Sequence, residues 1–222
     1  ITKGTAMTEQ DKNDSHKKKM QKQKEKVDGN IAKSTIEKGV LLLLTGNGKG
    51  KSSSAFGMVL RSMGYGHKVG VVQFIKGQQL SGEEMFLKEK LQDIEFYQMG
   101  TGFTWNTQDR TSDIEAAEKT WAVAEKMLKD ESLRLVVLDE LTYMLAYTYL
   151  DEDKVLNALK SRPYEQSVIV TGRGGGANLK ELADTKGLVT SFPSVFDLSK
   201  PAFTTAFSSG KPWKEYVSFA FP

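Results

Sequence analysis

The chain contains no cysteine, and that absence removes disulfides, thiolate metal sites and cysteine nucleophiles together. Histidine is almost missing: His16 and His67 are the only two in 222 residues, too few for a protein-built transition-metal site. If a transition metal takes part, the substrate brings it. No apolar run is long enough to cross a bilayer, and the first residues have no apolar stretch of the signal-peptide kind. A cytoplasmic protein with no membrane partner is the expectation.

A marked excess of charge of one sign is confined to one segment. The formal net charge is +3, but residues 12–26 carry seven Lys against Asp14 and Glu25, which leaves the remainder at about −2. A nucleic-acid binder would show a basic stripe across its fold, so no nucleic-acid partner is expected. Residues 1–6 precede Met7 and read as a remnant ahead of the native start. Residues 7–38 form a basic N-terminal segment: 8–30 read as a solvated tail, or as a segment ordering over an anionic ligand, and Ile31–Lys38 as a short helix.

What is present begins with Thr45-Gly46-Asn47-Gly48-Lys49-Gly50-Lys51-Ser52. The apolar run Gly39–Leu44 leads in, and a helical pattern with Ala55, Phe56, Val59, Leu60 and Met63 leads out. A strand, a glycine-rich turn, Gly-Lys-Ser and a helix make a phosphate-binding loop, because freed backbone N–H groups converge on an anion at the helix N-terminus. Lys51 reaches the outer phosphates and the Ser52 hydroxyl is a Mg²⁺ ligand. One position departs from the standard spacing, with Thr45 where a glycine is usual.

Further strands are expected at His67–Ile75, Ile94–Gln98, Leu133–Leu138 and Ser167–Thr171, separated by helical patterns. Ser81-Gly-Glu-Glu84 and Ser112-Asp-Ile-Glu115 have capping-box spacing, the first ahead of Phe86, Leu87 and Leu91, the second ahead of Ala117, Trp121, Ala124 and Leu128. Asp151 is a candidate cap for a helix through Val155, Leu156 and Leu159. This alternation argues an α/β fold of the P-loop NTPase (RecA-like) type, a mostly parallel, doubly wound sheet flanked by helices.

Asp139-Glu140 closes the apolar run Leu133–Leu138 and has the form of a Walker B pair. Asp139 would hold Mg²⁺ beside Ser52, directly or through water, and Glu140 would orient a water or a metal ligand. Lys76-Gly77 and Arg173 stand at strand ends, where open α/β sheets place ligands; Arg173 offers a planar fork for phosphate. The loop Met99–Arg110 holds Phe103 and Trp105 among polar residues, which suits a flat, apolar ligand.

Together, Thr45–Ser52, Val71-Val-Gln-Phe-Ile-Lys-Gly77, Thr101-Gly-Phe-Thr-Trp105, Leu138-Asp-Glu-Leu-Thr-Tyr143, Thr171-Gly-Arg-Gly174 and Glu181-Leu-Ala-Asp184 resemble the P-loop family of ATP:corrinoid adenosyltransferases. The match spans about residues 39–185, and Thr45 is a normal feature of the loop in that family. The resemblance implies transfer of the 5′-deoxyadenosyl group of ATP to the Co(I) of a reduced corrinoid, with release of triphosphate. It implies ATP and Mg²⁺ as co-substrate and cofactor, cobalt supplied by the substrate, a homodimer, and a reduced flavoprotein as electron donor. In this chain it puts Thr45, Gly46, Asn47, Gly48, Lys49, Gly50, Lys51, Ser52, Ser53, Gln73, Lys76 and Arg173 around the nucleotide. Ser52 and Asp139 would take the metal, and Lys51, Phe103, Trp105 and Glu140 would serve the chemistry, with the two aromatics on the lower face of the corrinoid ring. Residues 186–222 depart from the pattern, with Val217–Phe221 as a candidate edge strand. Two other readings stand beside this one: a RecA-like ATPase or small kinase, and a nucleotide-gated binding module worked by the lysine segment.

Overall fold

The computed structural model describes residues 8–33, 36–75, 81–91, 93–100 and 109–189. The loop residues Phe103 and Trp105, the strand-end residue Lys76 and the candidate strand at 217–221 lie outside the described residues. The chain divides between Lys38 and Gly39 into two units.

In the first unit, helix α1 runs Glu9–Lys33, where a solvated tail and a later short helix were expected. Lys, Gln and Glu are good helix formers. Thr8 starts the helix: its hydroxyl accepts from the Asp11 amide at 3.2 Å, and its own amide donates to Asp11 Oδ2 at 3.0 Å. Lys12 with Glu9 and Gln21 with Glu25 add i,i+3 and i,i+4 links along the surface. None of its side chains is buried within the unit.

Among the described residues the second unit is built on six parallel strands: β1 Leu41–Thr45, β2 Lys68–Gln73, β3 Ile94–Gln98, β4 Leu133–Asp139, β5 Ser167–Thr171 and β6 Thr185–Leu188. Their order is β3-β2-β4-β5-β1-β6. The central strands are almost continuously apolar because both faces are covered. Leu44, Val69, Val71, Leu135, Val137 and Ile169 face one side, with α2 (Lys51–Gly64) and α3 (Gly82–Lys90). Leu41, Leu43, Val72, Val136, Leu138, Val168 and Val170 belong to the core of the other side. That side holds α4 (Arg110–Lys129), α5 (Leu141–Ala146), α6 (Glu152–Lys160) and α7 (Ala177–Leu182). Trp121 is fully buried against Phe74, at 6.4 Å between ring centroids, and is core as its helical spacing predicts.

Two local expectations are corrected. Helix α4 begins at Arg110, capped by Asp109, whose carboxylate accepts from the Thr111 and Ser112 amides; the Ser112 signal lies inside the first turn. Phe86 is exposed on α3, while Leu87 is buried in the core and Leu91, at the helix C-cap, packs partly buried against it. Among the described residues the outermost strand beside β1 is β6, paired with it from Leu42↔Thr185 to Thr45↔Leu188. The Ser81 and Asp151 caps stand as the sequence reading has them, accepting from the Glu84 and Lys154 amides.

Candidate active site

All six strands are parallel, so their carboxyl ends share one edge, and each chemistry-bearing segment leaves from it. The loop after β1 turns at Gly46 and Gly50, at φ 112° and 104°, a region closed to most side chains. A Cβ at Gly46 would also overlap the backbone carbonyl of Val189. Val189 backs the loop through two backbone bonds: it donates to Thr45 O at 2.7 Å and accepts from the Gly48 amide at 2.9 Å. Gly50 then stands at the N-cap of α2 with no side chain over it, which leaves the helix amides open to an anion.

Lys51 is the first residue of α2 and only 6 % exposed. Its ammonium donates to Gly46 O at 2.9 Å and to Gly48 O at 2.8 Å, curling back over its own loop. Burial lowers its pKa from the ordinary lysine value; Glu140 and Asp139 pull it up, while Arg173 and Lys49 push it down. Those five side chains therefore share one electrostatic neighbourhood. Ser52 is half-buried behind the loop, and exposed Ser53 donates to Glu83 Oε1 at 2.6 Å, which lowers the pKa of that carboxyl.

The opposing wall is acidic. Asp139 is 2 % exposed, and both carboxylate oxygens accept hydrogen bonds, Oδ2 from Gln73 Nε2 at 2.9 Å and Oδ1 from Thr171 Oγ1 at 2.6 Å. Glu140 is different. Its backbone is left-handed, φ 59°, and its amide donates to Thr171 Oγ1 at 2.9 Å. Its Oε2 is buried without a hydrogen-bond donor. Burial and the neighbouring Asp139 carboxylate raise its pKa, against the opposing pull of Lys51 and Arg173. A buried acceptor without a donor costs about 1–3 kcal/mol, so it marks a place that a ligand group would complete.

Arg173 is exposed on the Gly172–Gly176 loop that follows β5. That loop is pinned from two sides: Thr45 Oγ1 donates to Gly174 O at 2.8 Å and Thr142 Oγ1 to Arg173 O at 2.9 Å. Thr45 is buried at 8 % exposure, so its hydroxyl is a brace between β1 and this loop. Beside the wall, Tyr143, Tyr147 and Tyr149 step along the surface at 5.9 and 5.6 Å between centroids, with the Arg110 guanidinium over Tyr149.

The structure thus gathers the loop residues Thr45 to Ser53 with Gln73, Asp139, Glu140 and Arg173 at one edge. Thr171, Thr142, Glu83 and Val189 belong to the same edge and were not read as site residues. Thr171 and Thr142 lie within motifs already noted, and Glu83 within the Ser81–Glu84 capping box; nothing local marks Val189. A glycine loop at a helix start, a lysine on that loop and a facing carboxylate pair define a P-loop nucleotide-binding protein.

The family profile described as "ATP:corrinoid adenosyltransferase BtuR/CobO/CobP" matches residues 37–198, past the point where the sequence resemblance stops. The corrinoid adenosyltransferase of Pseudomonas aeruginosa is 51% identical over 175 residues, 79% of this chain and 86% of that protein. That of Escherichia coli strain K12 is 48% identical over 182 residues, 82% of this chain and 92% of that protein. The corrinoid adenosyltransferase CobA of Salmonella typhimurium strain LT2 is 45% identical over 182 residues, with the same coverage of 82% and 92%. The chain belongs to the ATP:corrinoid adenosyltransferase family.

Proposed function

We propose that the enzyme transfers the 5′-deoxyadenosyl group of ATP to the cobalt of a reduced corrinoid, with the Thr45–Ser52 loop holding the triphosphate as leaving group. The observation that carries this reading is Lys51: a buried ammonium, bonded to the carbonyls of its own loop, beside an acidic wall. A phosphate arriving at the loop amides would exchange those carbonyl contacts for contacts to the nucleotide.

In the reaction, the Co(I) electron pair attacks the ribose C5′, the C5′–O5′ bond breaks, and its electrons leave on triphosphate. No proton has to be removed from the nucleophile. That fits a site whose described residues include no histidine: His67 precedes β2, at the opposite end of the sheet. The protein's work is positioning and neutralisation of leaving-group charge, by Lys51, the loop amides and Arg173. The nucleotide would lie along Thr45, Gly46, Asn47, Gly48, Lys49, Gly50, Ser52 and Ser53, with Gln73 and Lys76 on the β2 side.

Mg²⁺ fits the residues present. Ser52 at the helix start and the Asp139-Glu140 wall offer one hydroxyl and two carboxylates, among them the undonated Glu140 Oε2. Among the described residues no three His, Cys, Asp or Glu side chains converge, so the nucleotide's own oxygens would complete the shell, as is usual for Mg²⁺. When bound, Mg²⁺ neutralises developing charge on the leaving triphosphate. Phe103 and Trp105 would cover the lower face of the corrinoid and keep cobalt without an axial ligand during reduction. A reduced flavoprotein as electron donor, a homodimer and a cytoplasmic setting complete the reading. No helix among the described residues is long and apolar enough to cross a membrane.

The test mixes protein, MgATP and chemically reduced cobalamin, and looks for a cobalt–carbon product with stoichiometric triphosphate. Production of ADP and phosphate independent of corrinoid would defeat the reading in favour of an ATPase or kinase. Replacing both Phe103 and Trp105 by Ala is expected to slow turnover from Co(II) more than turnover from Co(I); equal losses would assign those rings to packing alone.

A further inference from the structure

One feature of the edge has no task in nucleotide binding or adenosyl transfer so far, the hydroxyl of Thr171. Strands β4 and β5 pair through Leu138↔Val170, where the register between them ends. The next two residues, Asp139 and Thr171, continue the contact through side chains. By alternation along their strands, Gln73, Asp139 and Thr171 all fall on the sheet face that carries α2, the helix whose start is the phosphate loop.

Thr171 is fully buried, and both functions of its hydroxyl are in use: the proton goes to Asp139 Oδ1 at 2.6 Å, and the oxygen accepts the Glu140 amide at 2.9 Å. The first distance is that of a charge-assisted bond. A strand does not require this hydroxyl, since the apolar Ile169 fills the preceding position on the same face of β5 and valine has threonine's shape. Gln73 grips the other oxygen of Asp139, so the aspartate is held from β2 and β5 together. The amide of Glu140 is then fixed by the same hydroxyl in a left-handed turn, and its Oε2 is left buried without a donor. A non-glycine residue in that conformation is strained and persists only where its surroundings hold it.

We propose that Thr171 is the positioning residue of the acidic wall: its single hydroxyl sets where Asp139 and Glu140 stand relative to the phosphate loop, and so sets how strongly the site prefers ATP with Mg²⁺ over ATP alone. Thr171 itself touches neither nucleotide nor metal. The inference rests on the reading that the loop binds MgATP.

The experiment measures ATP binding by calorimetry without corrinoid, across a Mg²⁺ titration and in EDTA, for the native chain, Thr171→Val and Thr171→Ser, with Tm recorded for each. Mg²⁺ should strengthen ATP binding to the native chain; no such effect there would refute the MgATP reading itself. Given that effect, Thr171→Val should need about tenfold more Mg²⁺ for half-maximal ATP binding, the size of one charge-assisted hydrogen bond lost. Its Mg²⁺-free ATP affinity should stay within about threefold, and Thr171→Ser should restore the native Mg²⁺ demand within about twofold. An unchanged Mg²⁺ demand in Thr171→Val overturns the proposal. So does an equal loss of ATP affinity with and without Mg²⁺, or a serine variant as impaired as the valine. If Thr171→Val does not fold, Thr171→Ala repeats the comparison under the same criteria. Failure of both, with Thr171→Ser folded, would make the hydroxyl a determinant of folding and overturn the positioning role.

Discussion

The two sides of the site are built on opposite plans. The loop after β1 is made of backbone: glycines, open helix amides and one lysine that satisfies itself on the carbonyls of Gly46 and Gly48. The wall at the ends of β4 and β5 is made of side chains braced to one another across strands, Gln73 and Thr171 on Asp139, Thr142 on Arg173 O. On one side the charge can change partners without moving the chain. On the other it is fixed by tertiary contacts, and one carboxylate oxygen is left over. Such a division suits a reaction in which a polyanion arrives and later leaves with extra charge. In the proposed reaction the adjustable cation would follow the leaving group while the wall held its geometry.

The largest effect expected from breaking this arrangement is at Lys51. Lys51→Met should lower adenosylation from chemically reduced corrinoid by about 100-fold or more, with the fold retained. Near-native turnover would mean that the loop amides suffice. Next is the brace itself. Gly172 has φ 137°, and a Cβ there would overlap the Thr142 hydroxyl, so Gly172→Ala must displace the loop carrying Arg173. A loss of about 3 kcal/mol, seen as a fall in Tm of roughly 6–12 °C, is expected, and an unchanged Tm would show that the loop is not braced.

A subtler effect concerns the leftover carboxylate. The pKa of Glu140 is raised in the folded chain, so between its ordinary value of 4.5 and the raised value the folded state holds more proton than the unfolded state. Stability without ligand therefore falls as pH rises through that window, and the loss persists at neutral pH. Glu140→Gln should raise the Tm of the nucleotide-free protein at pH 7 and change it little at pH 4. The same shift at both pH values would place the effect in packing instead of charge. The smallest effect expected is Thr45→Val, which removes one bond to Gly174 O and should cost about 1 kcal/mol, or roughly 2–4 °C in Tm.

Much of the edge was legible from local pattern. The loop, its lysine, the carboxylate pair and Arg173 are each short motifs at strand ends, and apolar runs separated by helical patterns imply the parallel sheet. Thr45 shows where local reading stops. In sequence it is a missing glycine; in the structure its hydroxyl reaches Gly174, 129 positions away. Helix α1 was misread for another reason: a lysine-rich segment with almost no apolar stripe gives no burial signal, while its helix propensity and the Thr8 cap act locally. The Ser112 cap signal failed because Asp109, three residues earlier, caps more directly.

Chemistry that depends on neighbours within one turn was determined by the sequence alone: a phosphate loop opening α2, acid at the end of β4, helices started by Ser81 and Asp151, and membership in a family that moves adenosyl groups. Tertiary structure decided what depends on strand order. Placing β5 between β1 and β4 brings Thr171 against Asp139 and the Gly172–Gly176 loop between two threonine pins. Which carboxylate oxygen is occupied and which is free follows from that packing, because hydrogen-bond partners far apart in sequence meet only once the register is set.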